Sequence, residues 1–165
     1  DKVRFIRIMN EIRVVPQCII YVNNQDTARN LSRALYEEGL ETRCIYGKMA
    51  PSERLDITTE FRKGTIRILV ATDLLSRGFD VQQVSLVINF DIPYVTDRNT
   101  GRVNEDSMAE YLHRIGRSGR FGRKGLAINL VANINEMHRV ETIRDFYKTD
   151  IKLLQETDIS GGLLY

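Results

Sequence analysis

Short, almost uninterrupted apolar runs alternate with longer segments that open on capping residues and close near glycine. The runs are CIIYV at 18–22, TRCIY at 42–46, IRILVA at 66–71, LVINF at 86–90 and AINLV at 127–131. Runs without strict apolar–polar alternation read as strands covered on both faces. Helices are expected between them at 26–38 (Asn24 as cap, Gly39 at the end), 51–62 (Pro51 first, Gly64 after) and 134–147. Ser107 and Glu110 read as a capping box for a helix through Ile115. Residues 1–14 carry apolar side chains at helical spacing before Pro16, and 151–154 reads as a last strand. Residues 94–106 read as a polar stretch with a turn at Thr100-Gly101. The alternation predicts an α/β fold, a mostly parallel sheet with helices on both faces. Ligand sites in such folds lie beyond the carboxyl ends of the strands.

The bulk numbers bound the function without choosing it. A chain of 165 residues fits one domain. Its 24 basic and 22 acidic residues leave a net charge of +2, so any nucleic-acid argument must come from local clustering. The only cysteines, Cys18 and Cys44, sit inside apolar runs and read as buried, reduced strand residues. That usage suggests neither a secretory disulfide framework nor a zinc site, which needs more ligands at tighter spacing. No apolar run approaches the ~20 residues of a membrane span, and no leader pattern opens the chain. The start at Asp1-Lys2-Val3, without methionine, reads as that of an excised fragment.

Chemistry concentrates in His113-Arg114-Ile115-Gly116-Arg117-Ser118-Gly119-Arg120-Phe121-Gly122-Arg123. Arginine recurs at 114, 117, 120 and 123 with no acid among them. That spacing at a helix end aligns side chains on one face, and the glycines let the backbone come close to something. Arginine suits bidentate contact with phosphate oxygens. The plain alternative is a solvated basic helix end facing the helix dipole. The glycines at 116, 119 and 122 are not a dinucleotide loop, because they follow a helix and precede a strand. A G-x-x-x-x-G-K-[ST] phosphate cradle is absent from the chain.

Ala71-Thr72-Asp73-Leu74-Leu75-Ser76-Arg77-Gly78-Phe79-Asp80 follows a buried strand directly. Gly78 permits a tight bend, and Asp80 beyond it can accept hydrogen bonds from ribose hydroxyls. The alternative makes Asp73 a cap and Asp80 a partner of Arg77. A third set comprises Asn23, Asn24, Gly47, Lys48, Ser52, Arg54 and Thr72, all expected at one edge of the sheet. Amides, hydroxyls and helix N-termini there can hold a sugar–phosphate backbone without reading sequence. Ordinary caps and turns are the alternative. His138 reads as a solvated side chain, and Tyr21, Phe61 and Phe90 as core.

In this order the segments resemble the second RecA-like domain of DEAD-box RNA helicases. CIIYVNN resembles motif IV, PSER with FRKG motif IVa, ATDLLSRGFD motif V, VSLVINFDIP the strand after it, and HRIGRSGR motif VI. The resemblance implies a single RecA-like domain over 1–165, with the N-terminal ATP-binding domain absent from this chain and the isolated domain inactive. It implies that Arg117 and Arg120 are arginine fingers for the γ-phosphate of ATP, that Asp80 with Gly78 meets the ribose, and that His113 couples the two domains. Gly47, Arg54 and Thr72, with Asn23 beside them, would touch the RNA backbone. ATP with Mg would be held mainly by the other domain. The family often has glutamine where Pro51 stands and histidine where Tyr46 stands, so no role is carried to those side chains.

The insert at 94–106, with INFDIP before it and GLAINLV later, resembles the subgroup acting in mRNA export at the nuclear pore. That subgroup implies nuclear-pore and export factors as partners, a monomer without membrane insertion, and a place in cytoplasm and nucleus. A translation-initiation-type helicase, or a non-catalytic RNA- or protein-binding module, are the competing readings.

Overall fold

The computed structural model describes residues 2–4, 6, 17–73, 84–119 and 125–154. Its strands are β1 (Cys18–Tyr21), β2 (Thr42–Ile45), β3 (Ile68–Ala71), β4 (Leu86–Asn89) and β5 (Leu126–Asn129). Its helices are α1 (Gln25–Glu37), α2 (Pro51–Arg62), α3 (Glu105–Ile115) and α4 (Ile134–Tyr147). Residues 2–4 and 6 are also helical, while the rest of the helix expected over 1–14, with Pro16, lies outside the described residues. The strands form one parallel sheet in the order β2-β3-β1-β4-β5. This is the α/β, RecA-like architecture expected.

Every residue of β1, β3 and β4 is buried, as their unbroken apolar runs require. β2 lies at one edge, where Arg43 reaches solvent. Alternate side chains serve opposite faces. Ile20, Val70, Ile88 and Ile128 pack with Ala28, Leu31 and Leu35 of α1. Ile19, Tyr21, Leu69, Ala71 and Val87 pack with Ile57 and Phe61 of α2. A third cluster joins Ile92 and Val95 to Met108 and Tyr111 of α3 and Val140 and Ile143 of α4.

Asn24 caps α1, its side chain accepting from the Thr27 amide at 2.8 Å. The cap of α3 is Asn104 rather than Ser107, whose own amide donates to Asn104 Oδ1 at 3.1 Å. The helix begins there because the preceding excursion closes at that residue, with Asn104 N donating to Val95 O at 2.8 Å. The stretch over 94–106 is thus a small hairpin, bridged at Thr96 and Val103, rather than an open loop. Residues 151–154 form no strand: Ile151 and Leu154 lean on the core, but Leu153 is exposed and no ladder pairs the segment.

Cys44 is half-buried rather than buried, because it stands on the edge strand. Phe90 is likewise only partly buried, lying under the Lys2 ammonium. Glu136 is buried, with its Oε1 2.6 Å from Lys2 Nζ. His138 is exposed, as read.

Candidate functional site

Tyr21, Ile45, Ala71, Asn89 and Asn129 end their strands in register, so the loops after them share one edge. Backbone bonds tie the exits together: Thr72 N to Ile45 O at 3.2 Å, Val22 N to Ala71 O at 3.0 Å, and Phe90 N to Tyr21 O at 3.0 Å. Asn23 and Thr72, both half-buried, and exposed Gly47 follow these ends. The N-termini of α1 and α2 open at the same edge, with half-buried Arg54 in the first turn of α2. Their amides and positive dipole ends favour an anionic chain.

Arg114, in the last turn of α3, organises this edge from within. Its side chain is wholly buried. Nη2 donates to Asp73 Oδ2 at 2.9 Å and to Asn23 Oδ1 at 3.0 Å, Nη1 donates to the Asp91 carbonyl at 2.8 Å, and Nε donates to Asp73 Oδ1. The guanidinium carbon stands 5.4 Å from the Tyr21 ring centre. One side chain therefore ties together the exits of β1, β3 and β4, a task its planar fork of donors suits and an ammonium does not.

This corrects the reading of the arginine series. Arg114 is not available to phosphate, and the acid missing from its own segment comes from Asp73. The cap reading offered for Asp73 does not describe this ion pair. Asn23 is also committed internally. Its backbone amide donates to Asp91 Oδ2 at 2.9 Å and its side-chain amide to Ile92 O at 3.0 Å, beside the bond it accepts from Arg114.

Beyond Arg114 the chain leaves the helix, and Arg117 is half-buried while His113 is exposed. Val84 N donates to Arg117 O at 2.9 Å, and Gly119 N donates to Val84 O at 2.9 Å, pinning this turn beside the approach to β4. Gly119 adopts φ +99, a region that favours glycine. A Cβ on Gly125 would overlap the backbone of Ser118 and Gly119. The close approach that the interleaved glycines foretold is thus, at least here, one segment of this chain against another.

The Tyr21 hydroxyl sits amid these charges. It is fully buried and, among the described residues, its oxygen has no hydrogen-bond partner. Burial pushes its ionisation well above the ordinary tyrosine range, while Arg117 first, then Arg114, oppose that rise. A second polar chain runs below: Asn89 Nδ2 donates to Asn129 Oδ1 at 2.8 Å, and Asn129 Nδ2 donates to the Tyr111 hydroxyl at 3.0 Å. Burial also raises the Tyr111 ionisation. Sequence reasoning missed this chain, although two strands ending alike in LVIN and LAIN carried the signal.

Gly78, Asp80 and Arg120 lie outside the described residues, as do Arg77, Gly122 and Arg123. The structure thus brings Asn23, Thr72, Asp73 and Arg114 to one junction, with Arg117 beside it. A nucleoside triphosphate fits this donor set only if approached from outside. The sequence carries no G-x-x-x-x-G-K-[ST] loop to cradle its phosphates. Among the described residues no group of three His, Cys, Asp or Glu is placed to hold a metal ion. No described helix is long and apolar enough to cross a membrane.

A parallel sheet whose carboxyl edge is organised this way defines a RecA-like α/β domain. Residues 2–122 match the helicase conserved C-terminal domain family. The chain is 43% identical over 143 residues to eukaryotic initiation factor 4A of Caenorhabditis elegans, covering 87% of this chain and 32% of that protein. It is similar to the solved C-terminal domain of the DEAD-box protein Dbp5, with a TM-score of 0.79 and 32% identity over 99% of this chain and 89% of that one. It is also similar to Saccharomyces cerevisiae Dbp5 solved with RNA and ADP BeF3, with a TM-score of 0.82 and 33% identity over 99% of this chain and 41% of that one. The chain belongs to the helicase C-terminal domain family, as its DEAD-box members carry it. It spans about a third of the length of the curated relative it matches.

Proposed function

We propose that this chain is the C-terminal half of an ATP-dependent DEAD-box RNA helicase, completing a nucleotide site that a preceding RecA-like domain begins. The observation that carries this reading is the buried Arg114–Asp73 pair. It locks the segment following β3 to the end of α3, and so fixes Arg117 relative to the strand exits. In this reading ATP, with Mg held mainly by the other domain, supplies the phosphoryl group that is hydrolysed. Arg117 and Arg120 neutralise charge on its terminal oxygens, Asp80 and Gly78 receive the ribose, and exposed His113 couples the domains. Gly47, Arg54 and Thr72 hold the RNA backbone at the strand exits. Asn23 acts mainly by fixing that edge, since its side chain is already engaged.

The test is Arg120→Ala in the full-length protein. RNA-stimulated ATP hydrolysis is expected to fall by about 10³–10⁵, with the melting temperature unchanged. Normal turnover in that variant would overturn the finger assignment.

The finer reading is a helicase of mRNA export, acting in cytoplasm and nucleus and at the nuclear pore as a monomer. It is supported by the Dbp5 likeness and by the hairpin over 94–106. A further similar structure holds S. cerevisiae Dbp5 with Nup159 and Gle1, which suggests partners of that kind here. A translation-type helicase is the second reading, favoured by the 43% identity to initiation factor 4A. Binding of the full-length protein to Nup159 and Gle1 counterparts separates the two: tight binding supports export, and its absence supports translation.

A further inference from the structure

Lys2 is held at the same edge of the sheet as the candidate site. Its ammonium lies 2.5 Å from the carbonyl of Phe90, which follows β4, and 2.6 Å from Oε1 of Glu136, in the first turn of α4. It also lies 5.2 Å from the centre of the Phe90 ring. The other Glu136 oxygen accepts from the Ala132 amide at 2.7 Å, in the connection from β5 to α4. Both charges are largely shielded, with side-chain exposures of 14% for Lys2 and 11% for Glu136. Val3 and Ile6 pack on the core nearby. A buried ion pair is a poor source of net stability, since apolar side chains of similar volume often hold the same space as well. What it adds is one geometry, because the ammonium must reach the carbonyl and the carboxylate together. Phe90 also precedes Asp91, whose carbonyl accepts from Arg114 and whose side chain accepts from the Asn23 amide. Lys2 is therefore fastened to the frame that organises the strand exits.

We propose that Lys2 is a positioning residue for domain closure. With Glu136 and the Phe90 carbonyl, it anchors the connection to a preceding RecA-like domain at the carboxyl edge that the domain must face. This rests on the helicase reading above. With the anchor made, the tether between the domains ends at Lys2 rather than at Cys18, the first residue of β1. A shorter tether raises the effective concentration of one domain at the other, which falls as about the −3/2 power of tether length. The anchor thus acts on the closing equilibrium and leaves the chemistry of the closed state alone.

The experiment uses the full-length protein with a fluorophore on each domain, and compares Lys2→Met, Glu136→Gln, the double variant and Lys2→Arg. Melting temperature, kcat and the KM for RNA in ATP hydrolysis are measured. Energy transfer between the domains is followed with and without RNA and a non-hydrolysable ATP analogue. A doubled tether should weaken closure about threefold. For Lys2→Met we expect a KM raised by about that factor, an unchanged kcat at saturating RNA, and a broader interdomain distance distribution before ligands are added. Glu136→Gln, which keeps an acceptor for the Ala132 amide, should behave alike and serves if Lys2→Met does not fold. The double variant should add little, since both changes break one contact. Lys2→Arg, which keeps the charge and the donors, should behave as the unaltered protein. Unchanged KM and energy transfer in the folded variants, whatever their melting temperatures, would show a pair that only stabilises the fold and would overturn the proposal. So would a lowered kcat with KM unchanged, or full additivity in the double variant. If the unaltered protein does not close on RNA and the analogue, the helicase reading itself fails, and the two failures are distinguishable.

Discussion

Two regions of this domain look alike as sequence, arginine beside glycine and turn residues, and the structure treats them oppositely. At the end of α3, Arg114 is fully buried and its guanidinium engages a carboxylate, a side-chain amide and a backbone carbonyl. In the hairpin before α3, Arg98 and, from α4, Arg139 flank the Tyr94 ring at 4.9 and 4.2 Å, and that tyrosine is 47% exposed. The first arrangement fixes three strand exits relative to one another. The second decorates a surface. A buried guanidinium leaves no freedom to its partners, because each lost bond strands a charge away from water. A surface stack competes with water and contributes little.

The sharpest way to break this contrast is Asp73→Ala, which leaves the Arg114 charge buried without its carboxylate. Urea denaturation should show a loss of about 3–5 kcal/mol. Arg114→Met should cost less, because Asp73 keeps 36% side-chain exposure and can turn to water. Equal or reversed losses would mean that Arg114 is not held as described. Tyr94→Ala in the hairpin should cost about 0.5–1 kcal/mol by the same measurement. A loss matching that of Asp73→Ala would erase the distinction between the regions.

The smallest effect belongs to Asp97, fully exposed at the hairpin turn. Its Oδ1 accepts from the Thr100 amide at 2.8 Å, the Thr100 hydroxyl at 3.0 Å and the Asn99 amide at 2.9 Å. The Thr100 amide first, then its hydroxyl and the Asn99 amide, hold the carboxyl below its usual 3.8. A depressed value in the folded state means that its contribution is complete above about pH 3.8 and fades as pH falls through the lower folded value. The Thr100 amide resonance should therefore titrate below pH 3.8 in the native protein and not in Asp97→Asn. A titration at or above the ordinary value would contradict the turn geometry.

Much of this was legible beforehand, for reasons that differ by element. β1, β3 and β4 announced themselves because a strand covered on both faces leaves little place for polar side chains. Asn24 was readable as a cap because a carboxamide before a helix has a local partner three residues on. The α3 cap was misplaced because Asn104, Ser107 and Glu110 all suit a helix start, and only closure of the hairpin at Val95 selects the first. The ion pair of Arg114 with Asp73 was illegible, since 41 residues separate the partners. Periodicity alone also assigned Arg114 and Arg117 the same outward role.

By itself the sequence determined the α/β class, five of the six strands expected and the segment in which arginine would matter, because these follow from local apolar patterning and spacing. Only the tertiary structure decided which arginine turns inward, which acid meets it, and which hydroxyl is left unsatisfied. Those choices depend on which strand exits the sheet order places side by side. Desolvation penalises every alternative pairing once the chain has closed around them.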